Sequence, residues 1–176
     1  RVGEPLPVVR DDALGEPERL ETLRQAGAPL AGIVAYADLR LGDAVGEVLD
    51  GHILASPALR GVRFMLAWHD HPMVHSFAPA PRLAGDREWR QGFEALLVRD
   101  LSFDAWCYHR QLPEIAALAR AYPEARIVLC HAGTPAGGLG NFHGVGATAA
   151  ARDRILGEWR DGLREVAALP NVACKV

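Results

Sequence analysis

The sequence is poor in several things. It has only three cysteines, Cys107, Cys130 and Cys174, an odd number, each inside an apolar run. That pattern argues against a disulfide framework and predicts free, buried thiols in a reducing compartment. No window approaches the ~18 uninterrupted apolar residues of a membrane helix, and no basic segment leads into an apolar signal core. Charge of neither sign dominates: 19 Lys+Arg oppose 22 Asp+Glu, a net of −3. A protein that binds by neutralising nucleic-acid phosphates is therefore not indicated. No Gly-x-Gly-x-x-Gly follows the first apolar strand, and no P-loop occurs, so two nucleotide-binding fingerprints are also missing.

What is present is an average globular composition, 49% hydrophobic and 23% charged over 176 residues, the length of one domain. A cytoplasmic enzyme or binding domain is the resulting expectation. β-type runs alternate with helical stripes throughout. Strands are predicted near 32–39, 61–68, 101–107, 126–131 and 172–176, with Pro7-Val8-Val9 as a candidate sixth. Between them, Val45/Val48/Leu49/His52/Ile53, Trp89/Phe93/Leu96/Leu97, Leu112/Ile115/Ala119/Tyr122 and Ile155/Trp159/Leu163/Val166 recur at helical spacing. Asp43 is the expected N-cap of the first of these helices, and Pro113 falls in the first turn of the third.

Strand and helix in alternation predict a parallel sheet with its helices outside. A doubly wound sheet and a (β/α)8 barrel compete, and without a nucleotide fingerprint the barrel is favoured. The glycines at 137, 138, 140, 144 and 146 fit no phosphate cradle and read as a flexible loop. A barrel takes ~250 residues. Residues 1–176 are therefore expected to form a single domain, the middle part of a barrel with about five βα units, lacking the first and last strands. By itself such a piece leaves sheet edges unpaired, which predicts poor solubility.

In parallel α/β folds, chemistry gathers at the C-terminal strand ends. There the sequence places Asp38, Trp68 with His69, Trp106 with Tyr108, and His131, while Arg63, Asp104 and Lys175 lie within strands. His131 ends Ile127-Val-Leu-Cys-His131 and should project into the mouth of the sheet. There it can ligate a metal, act as acid or base, or polarise a carbonyl; the structural alternative is a hydrogen bond to a loop carbonyl. Arg63, in an otherwise apolar strand, needs an anion, either a substrate group or a neighbouring Asp38 or Asp104. Asp104, Trp106 and Tyr108 alternate onto one strand face, Asp104 as an internal salt-bridge partner and the two aromatics as pocket walls. His69-Asp70-His71 has metal-ligand spacing, but the loop that follows offers no extended backbone to align the rings. His109 and His143 are expected to be solvated loop residues, and His52 a helix-face residue.

Arg60-Gly-Val-Arg63-Phe, Phe103-Asp104-Ala-Trp106 and above all Ile127-Val-Leu-Cys-His131-Ala-Gly133-Thr-Pro135 resemble the amidohydrolase-related TIM-barrel hydrolases. The nearest branch holds sugar-lactone and pyrone-dicarboxylate lactonases. Leu169-Pro-Asn-Val-Ala-Cys-Lys175-Val176 is similar to that group's Asn-Val-x-x-Lys-x-Ser-Gly strand. The resemblance spans Gly32 to Val176. It implies a (β/α)8 barrel, hydrolysis of a small carbohydrate-derived or carboxylated lactone, and a mid-barrel histidine matching His131. It also implies a divalent metal, zinc first, although some lactonases of the branch work without one. A first-strand His-x-His and a last-strand Asp complete the family's set; residues 1–31 contain no histidine. On this basis His131 and Arg63 are the expected catalytic residues, with His131 also the expected metal ligand. Trp68, His69, Asp104, Trp106 and Tyr108 are the expected substrate contacts. The expected partner is a small molecule, with a homo-oligomer admitted and nucleic acid and membrane excluded. A decarboxylase on the same scaffold and an inactive barrel-derived binding domain are the alternatives.

Overall fold

A computed structural model describes residues 10–176; Pro7-Val8-Val9 lies outside them. The chain runs α1 (Arg10–Gln25), β1 (Ile33–Tyr36), α2 (Val45–Ala55), β2 (Leu59–Met65), α3 (Arg87–Leu97), β3 (Ser102–Trp106), α4 (Leu112–Ala121), β4 (Ile127–Cys130), α5 (Ala149–Ala167), β5 (Val172–Lys175). All four strand pairings are parallel, and the order in space is β1-β2-β3-β4-β5. Each strand thus lies beside its successor in sequence, with one helix between. A doubly wound sheet would reverse direction at a switch point. Sequential order without reversal is the winding of a (β/α)8 barrel, and these are five consecutive units of that type.

Two sides of the sheet follow from the period of two along each strand. Val62, Phe64, Phe103, Ala105, Ile127 and Leu129 point to the helices and are buried. They meet Trp89, Phe93 and Leu96 of α3 and Leu112, Ile115, Leu118 and Ala119 of α4, also buried. Trp89, Phe93 and Phe103 contact one another with ring centroids 5.4–5.6 Å apart; such aromatics contribute most per residue to a core. Asp86 caps α3 by accepting from Trp89 N–H at 3.0 Å, and Pro113 stands in the first turn of α4, where its missing N–H costs nothing.

The structure departs from expectation in four places. Helix α1 was not anticipated: Gly15 and Pro17 interrupt its sequence, and helical periodicity is the signal that such residues blur. Asp43 is not a cap. A 3-10 segment, Leu39–Ala44, precedes α2, and Asp38 caps it by accepting from Arg40 N–H at 3.1 Å. Cys107 and Cys130 are buried free thiols, but Cys174 is exposed, on the edge strand β5. The strands are shorter than expected because the residues past Tyr36, Met65 and Trp106 turn into loops or 3-10 segments. No helix among the described residues is long and apolar enough to cross a membrane.

Candidate active site

The sheet face turned from the helices carries the polar residues. Register pairs Tyr36 with Arg63, Arg63 with Asp104, Asp104 with Val128 and Val128 with Ala173. One step toward the C-terminal ends, Met65, Trp106, Cys130 and Lys175 form the next row. Asp104, only 4% exposed, is the hub. Its Oδ2 accepts from Arg63 Nη2 at 3.1 Å, faces the Cys130 thiol at 3.6 Å and lies 4.0 Å from Lys175 Nζ. Arg63 has thus found its anion in the protein, and a buried carboxylate has found the cation it requires. The Nε of Arg63 is buried with no hydrogen-bond partner among the described residues. Burial first, and the Asp104 charge second, push the Cys130 thiol above its ordinary value, so it remains protonated and able to donate to Asp104.

His131 follows β4 with a left-handed φ of 52°. Its ring is exposed and makes no hydrogen bond among the described residues. The turn beneath it is fixed instead: Trp159 Nε1 on α5 donates to Ala132 O at 2.6 Å. Gly133 takes φ 68°, and a Cβ there would collide with the side chain of Leu112, so only glycine fits.

The loop after β2 folds back over the strand ends and forms a second cluster. Tyr108 does not continue the face of Asp104 and Trp106. The ladder stops at Trp106, because Gln111 Oε1 takes the Tyr108 N–H at 3.1 Å and turns the chain into the 3-10 segment His109–Gln111. The Tyr108 hydroxyl then donates to His75 O at 2.9 Å, and its ring lies 6.3 Å from Trp106 and 6.1 Å from His69. Phe77 stands against Trp106, 4.4 Å between centroids. Trp68 is half-buried, and its carbonyl accepts from Gln111 Nε2 at 2.9 Å.

His69 is buried and lines a cavity of about 700 Å³ together with His71, His109, Arg110, Arg154 and Glu158. Neither Arg63, Asp104 nor His131 borders it. Burial first, then the charge of Arg110, hold His69 below the usual histidine range. It is therefore neutral near pH 7, and the 3.3 Å approach of Asp70 is not an ion pair there. His109 is a correction: it is buried rather than solvated, against Glu158 at 3.7 Å, because α5 packs beside the start of α4. Burial lowers its pKa too. His52 is also buried, with Nε2 on Tyr36 O at 2.9 Å.

The His69 and His71 rings lie 6.3 Å apart at 71°, and each Nδ1 is occupied by a backbone N–H, of His71 and Met73 respectively. Among the described residues, no group of three or more His, Cys, Asp or Glu could hold an ion. These residues alone do not fit a metal.

The site therefore divides the expected residues. Arg63, Asp104 and Trp106 share the inner sheet face; His69, Tyr108 and the carbonyl of Trp68 belong to the rim; His131 stands at the end of β4. Cys130 and Lys175 join the inner group and were not among the expected contacts. Their signal was the period of two that carries Asp104 and Trp106.

A sequentially wound parallel sheet with a polar inner face and a strand-end histidine is the framework of a barrel hydrolase. The amidohydrolase family pattern matches residues 9–176, and the chain belongs to that family. It is 36% identical over 145 residues to the uncharacterized protein y4mH of Sinorhizobium fredii, covering 82% of this chain and 43% of that one. It is 32% identical over 153 residues to an L-fucono-1,5-lactonase of Burkholderia ambifaria, covering 84% and 42%. A solved amidohydrolase from Burkholderia multivorans with bound zinc aligns with a TM-score of 0.64 at 31% identity, over 91% of this chain and 48% of that one. The chain thus spans less than half the length of these relatives.

Proposed function

We propose that the whole protein hydrolyses a small carbohydrate-derived or carboxylated lactone. The observation that carries this reading is His131 at the end of β4, beside an inner sheet face bearing Arg63 and Asp104, in a chain 32% identical to L-fucono-1,5-lactonases. In this reading Arg63, whose side chain is still partly exposed, holds an anionic oxygen of the substrate. His131, exposed and unencumbered, polarises the lactone carbonyl or moves a proton at the ring oxygen as it leaves. Asp104 keeps the guanidinium in place, while Trp106, Tyr108, Trp68 and His69 shape the approach.

A divalent metal, zinc first, is proposed as a cofactor of the whole protein, with His131 as this chain's candidate ligand. The zinc bound in the Burkholderia multivorans relative supports it. The protein is further proposed to be one (β/α)8 domain to which residues 1–176 contribute the middle part. It would be cytoplasmic, with a small-molecule partner and self-association admitted.

The test is His131→Ala in the full-length protein. Lactone turnover should fall at least ~10²-fold, the scale of a positioned acid–base group. Unchanged turnover of every lactone that the wild type accepts would overturn the reading.

A further inference from the structure

The cavity of about 700 Å³ that His69 lines plays no part in the lactone chemistry, since Arg63, Asp104 and His131 stand outside it. It lies among the loops that follow β2, β3 and β4, the interior strands of the five. It shares His109, Arg110 and Glu158 with a second cavity of about 480 Å³, walled by Pro113 of α4 and by Asp161 and Gly162 of α5. The depression thus leads outward between two helices, away from the inner sheet face.

Local hydrogen bonds set its donors. His69 Nδ1 accepts the N–H of His71 at 3.0 Å, and His71 Nδ1 accepts that of Met73 at 3.3 Å. A ring nitrogen that accepts carries no proton, so in each ring the proton sits on Nε2, which can then only donate. Neither Nε2 is sealed from solvent, and neither has a partner among the described residues. Gly144, at φ 93°, keeps His71 reachable, because a Cβ there would stand 3.5 Å from Nε2. Arg110 is paired with Asp70. Glu158 differs: His109 Nε2 at 3.7 Å and Arg154 Nε at 3.8 Å are both beyond hydrogen-bond reach. Its half-exposed carboxylate is left free to accept.

We propose that this cavity binds a neutral polyhydroxylated ligand, a sugar, at a place apart from the catalytic face. Two guanidiniums against two carboxylates sum to no net charge, with both imidazoles neutral. An anion would meet Asp70 and Glu158. A cation would meet two arginines and two N–H donors, and a metal ion would find both Nε2 atoms already protonated. A hydroxyl both donates and accepts at one oxygen, so it can take an imidazole N–H and give its own proton to Glu158. Pro72, Val145 and Ile155 supply apolar wall between these groups, which suits the C–H face of a sugar ring. The volume is that of a small-molecule pocket.

The experiment is a ligand-observed NMR titration of the full-length protein with the methyl pyranosides of glucose, galactose and mannose. Cyclohexylmethanol is the control, a ring of similar size with one hydroxyl, and sodium sulfate represents an anion. At least one pyranoside should bind, and neither cyclohexylmethanol nor sulfate should displace it. Glu158→Ala should weaken that binding at least ~10-fold, the scale of a lost hydrogen bond to a charged group. His71→Phe keeps a ring and removes the donor, and should weaken it at least ~3-fold. His131→Ala should leave it within about twofold, because separated sites act independently and His131 does not border the cavity. Thermal melts show which variants fold; if Glu158→Ala does not, His71→Phe and His131→Ala carry the comparison. No binding of any of the three pyranosides, displacement by sulfate, binding unchanged in the folded Glu158 and His71 variants, or an equal loss in His131→Ala would each overturn the proposal. None of the probes contains a lactone, so the result stands apart from the fate of the lactonase reading.

Discussion

Arg63 and Asp104 are register partners on β2 and β3, and Arg63 Nη2 donates to Asp104 Oδ2 across 3.1 Å. The carboxylate is buried and the guanidinium is not fully so, which makes the pair asymmetric. Removing the anion strands Arg63 and Lys175, whereas removing Arg63 with it leaves only the half-exposed Lys175. Asp104→Ala in the full-length protein should therefore cost roughly 1–3 kcal/mol in urea unfolding. The double substitution Arg63→Met with Asp104→Leu should recover much of that loss. Additive single effects would show that the two residues do not act together.

Trp159 and Ala132 test whether the His131 turn must be held. The indole of α5 donates to the carbonyl directly after the candidate catalytic histidine. Trp159→Phe keeps the packing and deletes that bond. A lactonase should lose about tenfold in kcat with KM within about twofold, because a small displacement of a positioned group is costly in rate. Equal kcat, with a melt lowered by the lost bond alone, would mean that the turn is held by other contacts.

How much of this was legible beforehand depends on the residue. Strands β2 to β4 are visible because covered parallel strands are continuous apolar runs, and α3 because Trp89, Phe93 and Leu96 share one stripe. Helix α1 is hidden by Gly15 and Pro17. The partner of Arg63 could be narrowed to Asp38 or Asp104 but not chosen, since the choice is one of register. Asp38 turns out to serve Arg40, whose Nε and Nη2 it meets at 2.8 and 2.7 Å. Burial of His109 was illegible for a different reason: it depends on α5, nearly 50 residues further along the chain.

Gly92 offers a sharp test of packing. It lies in α3 against the 3-10 segment Leu39–Ala44, and a Cβ there would press into the Leu39 backbone carbonyl. Gly92→Ala should destabilise by roughly 1–3 kcal/mol, since backbone cannot yield as a side chain does. Gly157→Ala in α5 is the control. Nothing lies within 4 Å of its added methyl, so the change should be neutral or stabilising by up to ~1 kcal/mol on helix propensity. Equal responses in thermal melts would argue that α3 can shift away from the segment.

Glu21 joins α1 to the base of the sheet. Its carboxylate accepts from Arg24 at 2.6 and 2.9 Å and from Ser56 Oγ at 2.5 Å. Arg24 first, then Ser56, hold it down to about 2, against ~4.3 in an unfolded chain. The native state therefore binds fewer protons than the unfolded state between those values. Stability from this carboxylate is fully present above the unfolded pKa and is lost as pH falls through the folded one. Glu21→Gln should lower Tm by a constant amount from pH 7 down to ~5, with the gap to wild type closing between ~4.3 and ~2. Melts across that range decide the matter. A gap that stays constant to pH 2 would show that Glu21 acts through shape rather than charge, and a gap that widens on acidification would reverse the sign of its coupling to folding.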